Sequence, residues 1–330
     1  MLRIQNLSKN YDGIKVLNNI NFNILKGEFL SIIGPSGAGK STLLKIISNL
    51  EKNYEGKITS NKNYSKEYPV IMVFQDFSLF PHLTVEDNIG YGLKIRKVPK
   101  QERIHKIQKM LSWFGIAEKS KLFPAQLSSG QQQRVAIARS LIINPALLLL
   151  DEPFANLDKN LKMDTALFIK QTQENFGITT IMVTHDQEEA FFISDRVGIL
   201  INGKLVQIDK PENIYYNPTS LTAAKFLGQV NTIPVSILEK FQISGKLKKQ
   251  INSFNKNQNI SFRYESVSLE QNSEGPGEII ESHIWGKTIL FKIKINKIII
   301  GVYDMHKTLM PGEKVNLKLH QIINEENKHE

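Results

Sequence analysis

The sequence predicts an α/β domain built on a mainly parallel sheet, followed by a smaller all-β domain. In the first part of the chain, short apolar runs with the composition of buried strands alternate with amphipathic helical segments, which is the pattern of an α/β fold. After about Gly228 the composition changes, and apolar residues alternate one by one with polar ones, as in half-buried antiparallel strands. We therefore expect one domain over residues 1–229 and a second over residues 230–330.

The composition is typical of a folded chain of more than one domain. The 330 residues are 41% hydrophobic, which allows a sizeable core, and they include no cysteine, which excludes disulfides and zinc–thiolate sites. We find no secretory leader and no apolar run long enough to cross a bilayer, so a role at a membrane would need a partner. The net charge is +10, but the sequence contains no recognisable nucleic-acid-binding motif. A basic surface exposed to solvent is therefore the simpler interpretation of the charge.

The predicted elements follow the chain in order. Residues 1–25 alternate like two antiparallel strands around a turn at Asp12–Gly13, and the buried strands lie at 29–33, 70–74, 147–150 and 179–184. Between them, helices are expected at 43–50, within 84–122, from about 131 to 143, and at 161–176. The helical face within 84–122 is formed by apolar residues at helical spacing, which are Ile104, Ile107, Met110, Leu111 and Phe114.

A glycine-rich loop follows the strand at 29–33 and precedes a helix. It contains two glycines separated by four residues and then Lys and Ser, which in this context is the P-loop pattern of nucleoside triphosphate sites. Its backbone N–H groups can surround phosphates, Lys40 can neutralise the β- and γ-phosphates, and the Ser41 hydroxyl can bind Mg²⁺. The predicted phosphate-binding residues are Gly34, Pro35, Ser36, Gly37, Ala38, Gly39, Lys40, Ser41 and Thr42.

Two carboxylates end the apolar strand at 147–150. Because ligands bind at the carboxyl ends of strands in an open α/β sheet, Asp151 is expected at the nucleotide, where it can hold Mg²⁺ directly or through water. Glu152 is suited to accept a proton from an attacking water as a general base. The sequence therefore predicts hydrolysis as well as binding of the triphosphate.

The order of the remaining motifs resembles the ATP-binding subunit of an ABC transporter. After the P-loop come Gln75, the segment Leu127-Ser-Ser-Gly-Gln-Gln-Gln-Arg134, the Leu150–Pro153 strand end, Asn156–Asp158 and Thr184–Asp186. The resemblance covers residues 1 to about 230. It implies an α/β P-loop NTPase cassette that has a RecA-like core, an antiparallel β subdomain and a helical subdomain at about 76–146.

The resemblance also implies residue roles. ATP and Mg²⁺ would be the cofactors, with Tyr11 stacking on adenine and His185 hydrogen-bonding the γ-phosphate. Gln75 would contact both Mg²⁺ and the attacking water. The implied catalytic residues are Glu152, His185 and Gln75, and the implied metal ligands are Ser41, Gln75 and Asp151.

A second set of residues is implied to serve a second copy of the chain. In the family, two cassettes pair head to tail, and Ser128, Gly130 and Gln131 of one would contact the ATP held by the other. Asp158 would lie at the dimer interface. Ser129 departs from the glycine usual at its position, and this would reduce flexibility if its φ had to be positive.

The segment at 75–85 resembles importer subunits in particular. Phe77, Leu79, Phe80 and Leu83 are expected near the surface, where the family receives a short helix of an integral-membrane permease. The alternative is that these side chains belong to the core. The β-rich residues 230–330 resemble the OB-type transport-associated domain of importers, with a role in dimer contact and regulation. The chain would then be peripheral at the cytoplasmic face of a membrane, with an extracytoplasmic solute-binding protein as an indirect partner and no nucleic acid.

The transported solute and one alternative function stay open at this point. The segments Asp151–Phe154 and Phe226–Asn231 resemble slightly more the branch of the family that transports ferric iron or polyamines. The alternative is a soluble ABC ATPase that acts on nucleic acid or ribosomes, for which the basic charge is the one supporting feature. Such proteins usually carry tandem cassettes or a long coiled-coil insertion, and this chain has neither.

Overall fold

The computed structural model describes residues 2–60, 69–155, 157, 159–256, 258–305 and 309–323. It divides into two compact units, Met1–Pro211 and Glu212–Glu330. In chain order the first unit contains β1 (Leu2–Tyr11), β2 (Ile14–Ile24), β3 (Phe29–Ile33), α1 (Lys40–Ile47), β4 (Glu55–Ser60), β5 (Val70–Val73), α2 (Val85–Ile95), α3 (Lys100–Trp113), α4 (Ser129–Leu141), β6 (Leu147–Asp151), α5 (Lys159–Phe176), β7 (Thr180–Thr184), α6 (Gln187–Ile193), β8 (Arg196–Ile201) and β9 (Lys204–Asp209).

A six-stranded sheet forms the centre of the first unit. Its strand order is β5-β6-β7-β3-β8-β9, and all neighbours are parallel except β8 and β9. The strands β3 and β7 are buried along their whole length, because the sheet is covered on both faces. This confirms the predicted α/β core and places the carboxyl ends of β5, β6, β7 and β3 along one edge.

Alternate residues of the central strands belong to two different hydrophobic cores. Leu148 and Leu150 of β6 pack into a core shared with α2, α3 and α4, whereas Leu147 and Leu149 pack into a core shared with α1, β1 and β2. The period of two along a strand sends successive side chains to opposite faces. The helical subdomain therefore covers one face, and the three-stranded antiparallel sheet β2-β1-β4 covers the other.

The predicted apolar face within 84–122 is only partly a core face. Leu111 is the one buried residue of α3, with Phe114 buried directly after the helix, whereas Ile104 is 51% exposed. Helical spacing identifies the face on which these residues lie but not how far along the helix the covering elements extend, so Ile104 can share the face and still be exposed.

The second unit is mainly antiparallel β. It contains α7 (Pro211–Tyr216), α8 (Leu221–Leu227), β10 (Val230–Pro234), β11 (Phe241–Ile243), α9 (Gly245–Ile251), β12 (Asn259–Arg263), β13 (Val267–Gln271), β14 (Gly277–Trp285), β15 (Thr288–Ile295), β16 (Ile298–Asp304) and β17 (Lys314–Leu319). The sheet has the order β11-β17-β14-β15-β16, with β13 also on β17, beside a β10–β12 pair. These strands confirm the predicted C-terminal β domain.

Arg263 of β12 forms hydrogen bonds to both α7 and α8. Its guanidinium donates to the carbonyl oxygen of Tyr215 in α7 and to that of Ala224 in α8, at distances of 3.0–3.2 Å. Arg263 is 4% exposed, and burial lowers the pKa of its side chain. By these contacts α7 and α8, which the sequence division assigns to the first domain, lie in the second unit.

Candidate functional site

The loop at 34–39 joins the carboxyl end of β3 to the first turn of α1. Gly39 directly precedes α1 with φ of 101°, and a Cβ there would lie 2.9 Å from the carbonyl oxygen of Val16. A Cβ on Gly34 would lie 2.1 Å from the carbonyl oxygen of Leu200. Both positions therefore require glycine, since any side chain would collide with backbone. The close approach of the backbone of Val16 and Leu200 thus accounts for the two glycines of the sequence pattern.

Lys40 lies across this loop rather than in solvent. Its Nζ donates to the carbonyl oxygens of Gly34 at 2.8 Å and Pro35 at 3.1 Å, and the residue is 6% exposed. Desolvation lowers the pKa of Lys40, against the opposing effect of the carboxylates of Glu152 and Asp151. A buried cation at the amino end of a helix is suited to receive an anion.

The Ser41 hydroxyl is joined to the carboxyl end of β6. Its Oγ donates to Oδ1 of Asp151 at 2.9 Å, across 110 positions of sequence. Burial raises the pKa of Asp151, while the hydrogen bond from Ser41 opposes that rise. A hydroxyl and a carboxylate oxygen are hard ligands of the kind that Mg²⁺ prefers.

The side chains at this site would supply only part of the ligands that a Mg²⁺ ion needs. Within the described residues no group of three or more His, Cys, Asp or Glu side chains could hold a metal ion. Mg²⁺ usually binds through one or two carboxylates together with substrate phosphates and waters. The Ser41–Asp151 pair fits that pattern, in which the nucleotide completes the coordination.

Glu152 and His185 meet at the ends of two neighbouring strands. The Glu152 Oε2 lies 3.3 Å from Nδ1 of His185, and the Glu152 amide donates to the carbonyl oxygen of Val183 at 3.0 Å. Glu152 has a φ of 46°, a left-handed conformation that is costly for a residue with a side chain. The backbone is therefore held in an unusual turn at the residue that the sequence identified as the base.

The sheet order brings four sequence-predicted groups to one edge. Gln75 follows β5, the two carboxylates end β6, His185 follows β7, and the loop follows β3, and these strands are consecutive in the sheet. Gln75 is exposed there. An edge formed by the carboxyl ends of parallel strands is where open α/β sheets bind ligands.

Ser128 caps the amino end of helix α4, in a different part of the unit. Its Oγ accepts from the Gln131 amide at 3.4 Å, and the Gln131 Oε1 accepts from the Ser128 amide at 3.1 Å, which is a capping box. Within the described residues, Ser128 and Gly130 make no hydrogen bond to the loop at 34–42. Ser129 is the first residue of the helix and does not have positive φ, so its replacement of glycine causes no strain. Asp158 lies outside the described residues.

Tyr11 is held by two residues that the sequence did not single out. Its hydroxyl donates to Oε2 of Glu51 at 2.9 Å, and Nζ of Lys9 lies 4.4 Å from the ring centroid. The hydrogen bond to Glu51 raises the pKa of Tyr11. The amide of Asn53, then Tyr11 and Lys9, lower the pKa of Glu51 to about 2. The ring is 40% exposed, so its orientation is fixed while part of it faces solvent.

The expected surface cluster at 77–83 is partly a core. Phe77 is 3% exposed and belongs to the helical core, so its assignment to the surface was wrong. Leu79, Phe80 and Leu83 are half-buried. Apolar composition does not distinguish a core segment from a docking segment. Gln133, which the sequence placed in the segment 127–134 without a role, is fully buried and donates from Nε2 to the carbonyl oxygen of Pro153 at 3.0 Å.

The chain is similar to transporter ATP-binding proteins. The family profile described as ABC transporter matches residues 17–155. A ferric-ion import ATP-binding protein of Fusobacterium nucleatum is 37% identical over 86% of this chain and 80% of that protein. A spermidine/putrescine import ATP-binding protein of Haemophilus ducreyi is 33% identical over 99% of this chain and 97% of that protein. A putrescine transport ATP-binding protein of Escherichia coli is 43% identical over 73% of this chain and 65% of that protein.

Solved structures of ABC transporter cassettes are also similar to this chain. A bacterial ABC transporter cassette in dimeric form matches with a TM-score of 0.57 and 34% identity, over 64% of this chain and 99% of that one. A post-hydrolysis dimer of that cassette, bound to ADP and Pi, matches with a TM-score of 0.57 and 35% identity, over 64% of this chain and 99% of that one.

Proposed function

The chain belongs to the ABC transporter family of ATP-binding proteins, and on that premise we propose that it is the ATP-hydrolysing subunit of a solute importer. The observation that carries the hydrolytic part is the contact of Ser41 with Asp151 and of Glu152 with His185 at one edge of the sheet. The importer part is supported by relatives described as import ATP-binding proteins for ferric ions and for polyamines. It is also supported by the C-terminal β unit.

Nucleotide binding follows from the P-loop. The backbone N–H groups of residues 36–39 and the amino end of α1 would surround the β- and γ-phosphates. Lys40 would exchange its bonds to the carbonyl oxygens of Gly34 and Pro35 for phosphate oxygens, which bear full negative charge. Tyr11, already oriented by Glu51, would stack on adenine.

Ser41 and Asp151 would hold Mg²⁺, with Gln75 as a further ligand. When bound, the ion would neutralise charge that develops on the phosphates. Glu152 would accept the proton of the attacking water at its carboxylate. Because Nδ1 of His185 faces Glu152, its Nε2 is the nitrogen left to face the γ-phosphate. The left-handed backbone of Glu152 and the hydrogen bond from its amide to the carbonyl oxygen of Val183 would hold the Glu152 carboxylate beside His185.

A second copy of the chain would complete each site. Ser128, Gly130 and Gln131 at the amino end of α4, with Asp158, would contact the nucleotide held by the partner copy in a head-to-tail dimer. Similarity to cassettes solved as dimers supports this arrangement. ATP would favour the closed dimer, and closure would change the access of the permease.

The partners and place of action follow from this role. The chain would bind integral-membrane permease subunits at the cytoplasmic face of the membrane and act indirectly on an extracytoplasmic solute-binding protein. No helix among the described residues is long and apolar enough to span a bilayer. The solute would be ferric iron or a polyamine, as in the named relatives. A soluble ATPase acting on nucleic acid or ribosomes is not favoured by these relatives.

The test is affinity purification of tagged Glu152→Gln protein from source membranes with MgATP. We expect polytopic permease subunits to accompany it, and the unsubstituted chain with ADP serves as the control. Recovery of ribosomes or nucleic acid without a membrane partner would overturn the importer assignment. Uptake of radiolabelled ferric iron and putrescine by cells with and without the chain would then identify the solute class.

A further inference from the structure

The segment that follows Gln75 contains strained backbone. Phe77 has a φ of 60° and Ser78 a φ of 42°. Across the part of the chain that the structure describes, these are the only two adjacent non-glycine residues with positive φ. Left-handed conformations place Cβ against the following carbonyl, so two in succession persist only where other contacts hold them.

The contact that holds this backbone comes from Arg139, near the end of helix α4. Its Nη2 donates to the carbonyl oxygen of Phe77 at 3.0 Å, and its Nη1 donates to that of Ser78 at 2.9 Å. The guanidinium also lies 5.3 Å from the ring centroid of Phe80. The planar fork of an arginine suits two neighbouring oxygens, and a lysine cannot reproduce that geometry. Burial lowers the pKa of Arg139, as expected for a cation enclosed by this segment.

Other contacts hold the segment on both sides of the strained pair. The Phe77 amide donates to the carbonyl oxygen of Phe74 at 2.9 Å, and the Phe80 amide donates to Oδ1 of Asn88 at 2.9 Å. The Phe77 side chain is buried in the helical core. Arg139 reaches the carbonyl oxygens of the left-handed residues from α4, the helix whose amino end is capped by Ser128.

We propose that Arg139 is a positioning residue that holds the left-handed backbone of Phe77 and Ser78 and thereby sets where Gln75 lies relative to helix α4. The inference rests on the proposed function, in which Gln75 contacts the water and metal while the amino end of α4 contacts the partner's ATP. One side chain would then join the two parts of the machinery that must be aligned at hydrolysis.

Hydrogen exchange tests the structural part without any activity. In Arg139→Ala, the amides of Phe77 and Phe80 are expected to exchange about tenfold faster, the scale of a lost charge-assisted hydrogen bond. The matched control is Arg134→Ala. Arg134 lies on the same helix and donates to the carbonyl oxygen of Phe114 at 3.1 Å, so its loss should leave those two amides unchanged. Unchanged exchange in Arg139→Ala would overturn the proposal.

Kinetics and a rescue test the functional part. At saturating ATP, Arg139→Ala should lower turnover about tenfold while KM for ATP changes less than about twofold, because Arg139 does not touch the P-loop. Adding Ser78→Gly should restore turnover to within about threefold of the unsubstituted chain, since glycine adopts positive φ without strain. Ser78→Ala is the control, because it removes the Oγ bond to Asp76 without easing the backbone.

The outcomes separate this inference from the proposed function. An unsubstituted chain that fails to hydrolyse ATP would refute the function, while the exchange experiment would still judge Arg139. Equal rescue by Ser78→Ala and Ser78→Gly, or full activity in Arg139→Ala, would refute the role of Arg139. Should Arg139→Ala fold poorly, Arg139→Lys keeps the charge and stem but not the fork, and it is expected to show the same defects and the same rescue.

Discussion

The Oγ of Ser41 and the Oδ1 of Asp151 lie 2.9 Å apart, which joins the loop after β3 to the end of β6. Desolvation raises the pKa of the Asp151 carboxyl group, and the hydrogen bond from Ser41 opposes that rise. The protein thus holds a partly buried carboxylate in a position that is unfavourable for it alone. That cost is expected where a binding site is organised before its ligand arrives.

The first prediction is that Asp151→Asn stabilises the nucleotide-free protein while abolishing Mg²⁺-dependent ATP hydrolysis. Because the pKa of Asp151 is raised by folding, its contribution to stability is full below the unfolded pKa and is lost as pH rises through the folded value. The neutral amide avoids that loss, so at pH 7 thermal unfolding should occur a few degrees higher. Below about pH 3.8 the difference should vanish, since the carboxyl group is then neutral in both states. A lower melting temperature at pH 7 would contradict the prediction.

The second prediction concerns Glu152. Glu152→Gln should lower turnover roughly 10²–10⁴-fold, the usual contribution of a general base, while ATP affinity changes less than about twofold. The amide keeps the size of the side chain and can still face His185, so the local turn should persist. Nucleotide binding by fluorescence and phosphate release would separate the two effects. Persistent full turnover would show that another group accepts the proton.

Much of this site is predictable from the sequence because its chemistry requires certain residue types. The close approach of neighbouring backbone at Gly34 and Gly39 requires glycine there, which makes the loop recognisable in the sequence. The four leucines before Asp151 identify a strand that is buried on both faces. The order of the strands in the sheet is not readable in the same way. It depends on which apolar faces pack together across long separations of sequence.

The misjudged residues share a physical cause. Phe77 is apolar in a segment expected at the surface, but its left-handed backbone turns the side chain into the helical core. Glu51 has no local signature, because it lies 40 positions from Tyr11 and meets it only in the fold, whereas Lys9 lies on the same strand as Tyr11 and its contact with the ring has no recognisable sequence pattern. Arg139 is likewise ordinary in the sequence, and its two carbonyl partners lie about 60 residues away. Contacts of this kind need the structure.

The third prediction is that Lys40→Ala weakens ATP binding roughly 10–100-fold, the effect expected when charge-assisted hydrogen bonds to phosphate are lost. Removal of the buried cation should not unfold the protein, because its present partners are backbone carbonyls that water can reach in the smaller variant. The matched control is Lys57→Ala, at an exposed lysine of β4. Calorimetric titration with ATP would measure both. Near-normal affinity in Lys40→Ala would contradict the P-loop assignment.

The fourth prediction tests the packing of the C-terminal β unit. Asn231 of β10 bonds both the amide and the carbonyl oxygen of Gly301 in β16, at 2.9 and 2.8 Å, and so pairs with the backbone as a neighbouring strand would. A Cβ on Gly301 would lie 2.0 Å from the ring of Tyr264. Gly301→Ala is therefore expected to lower the free energy of unfolding of this unit by about 1–3 kcal/mol, the usual cost of overpacking.

The control for this substitution is Gly245→Ala, at the first residue of α9. No atom lies within 4 Å of the added Cβ there, and the backbone of Gly245 does not have positive φ. That change should be neutral or stabilising by up to about 1 kcal/mol, through the lower entropy of the unfolded chain. Urea unfolding followed by circular dichroism would measure both variants. Equal stability of the two would mean that the Tyr264 ring moves aside at little cost, and it would contradict the prediction.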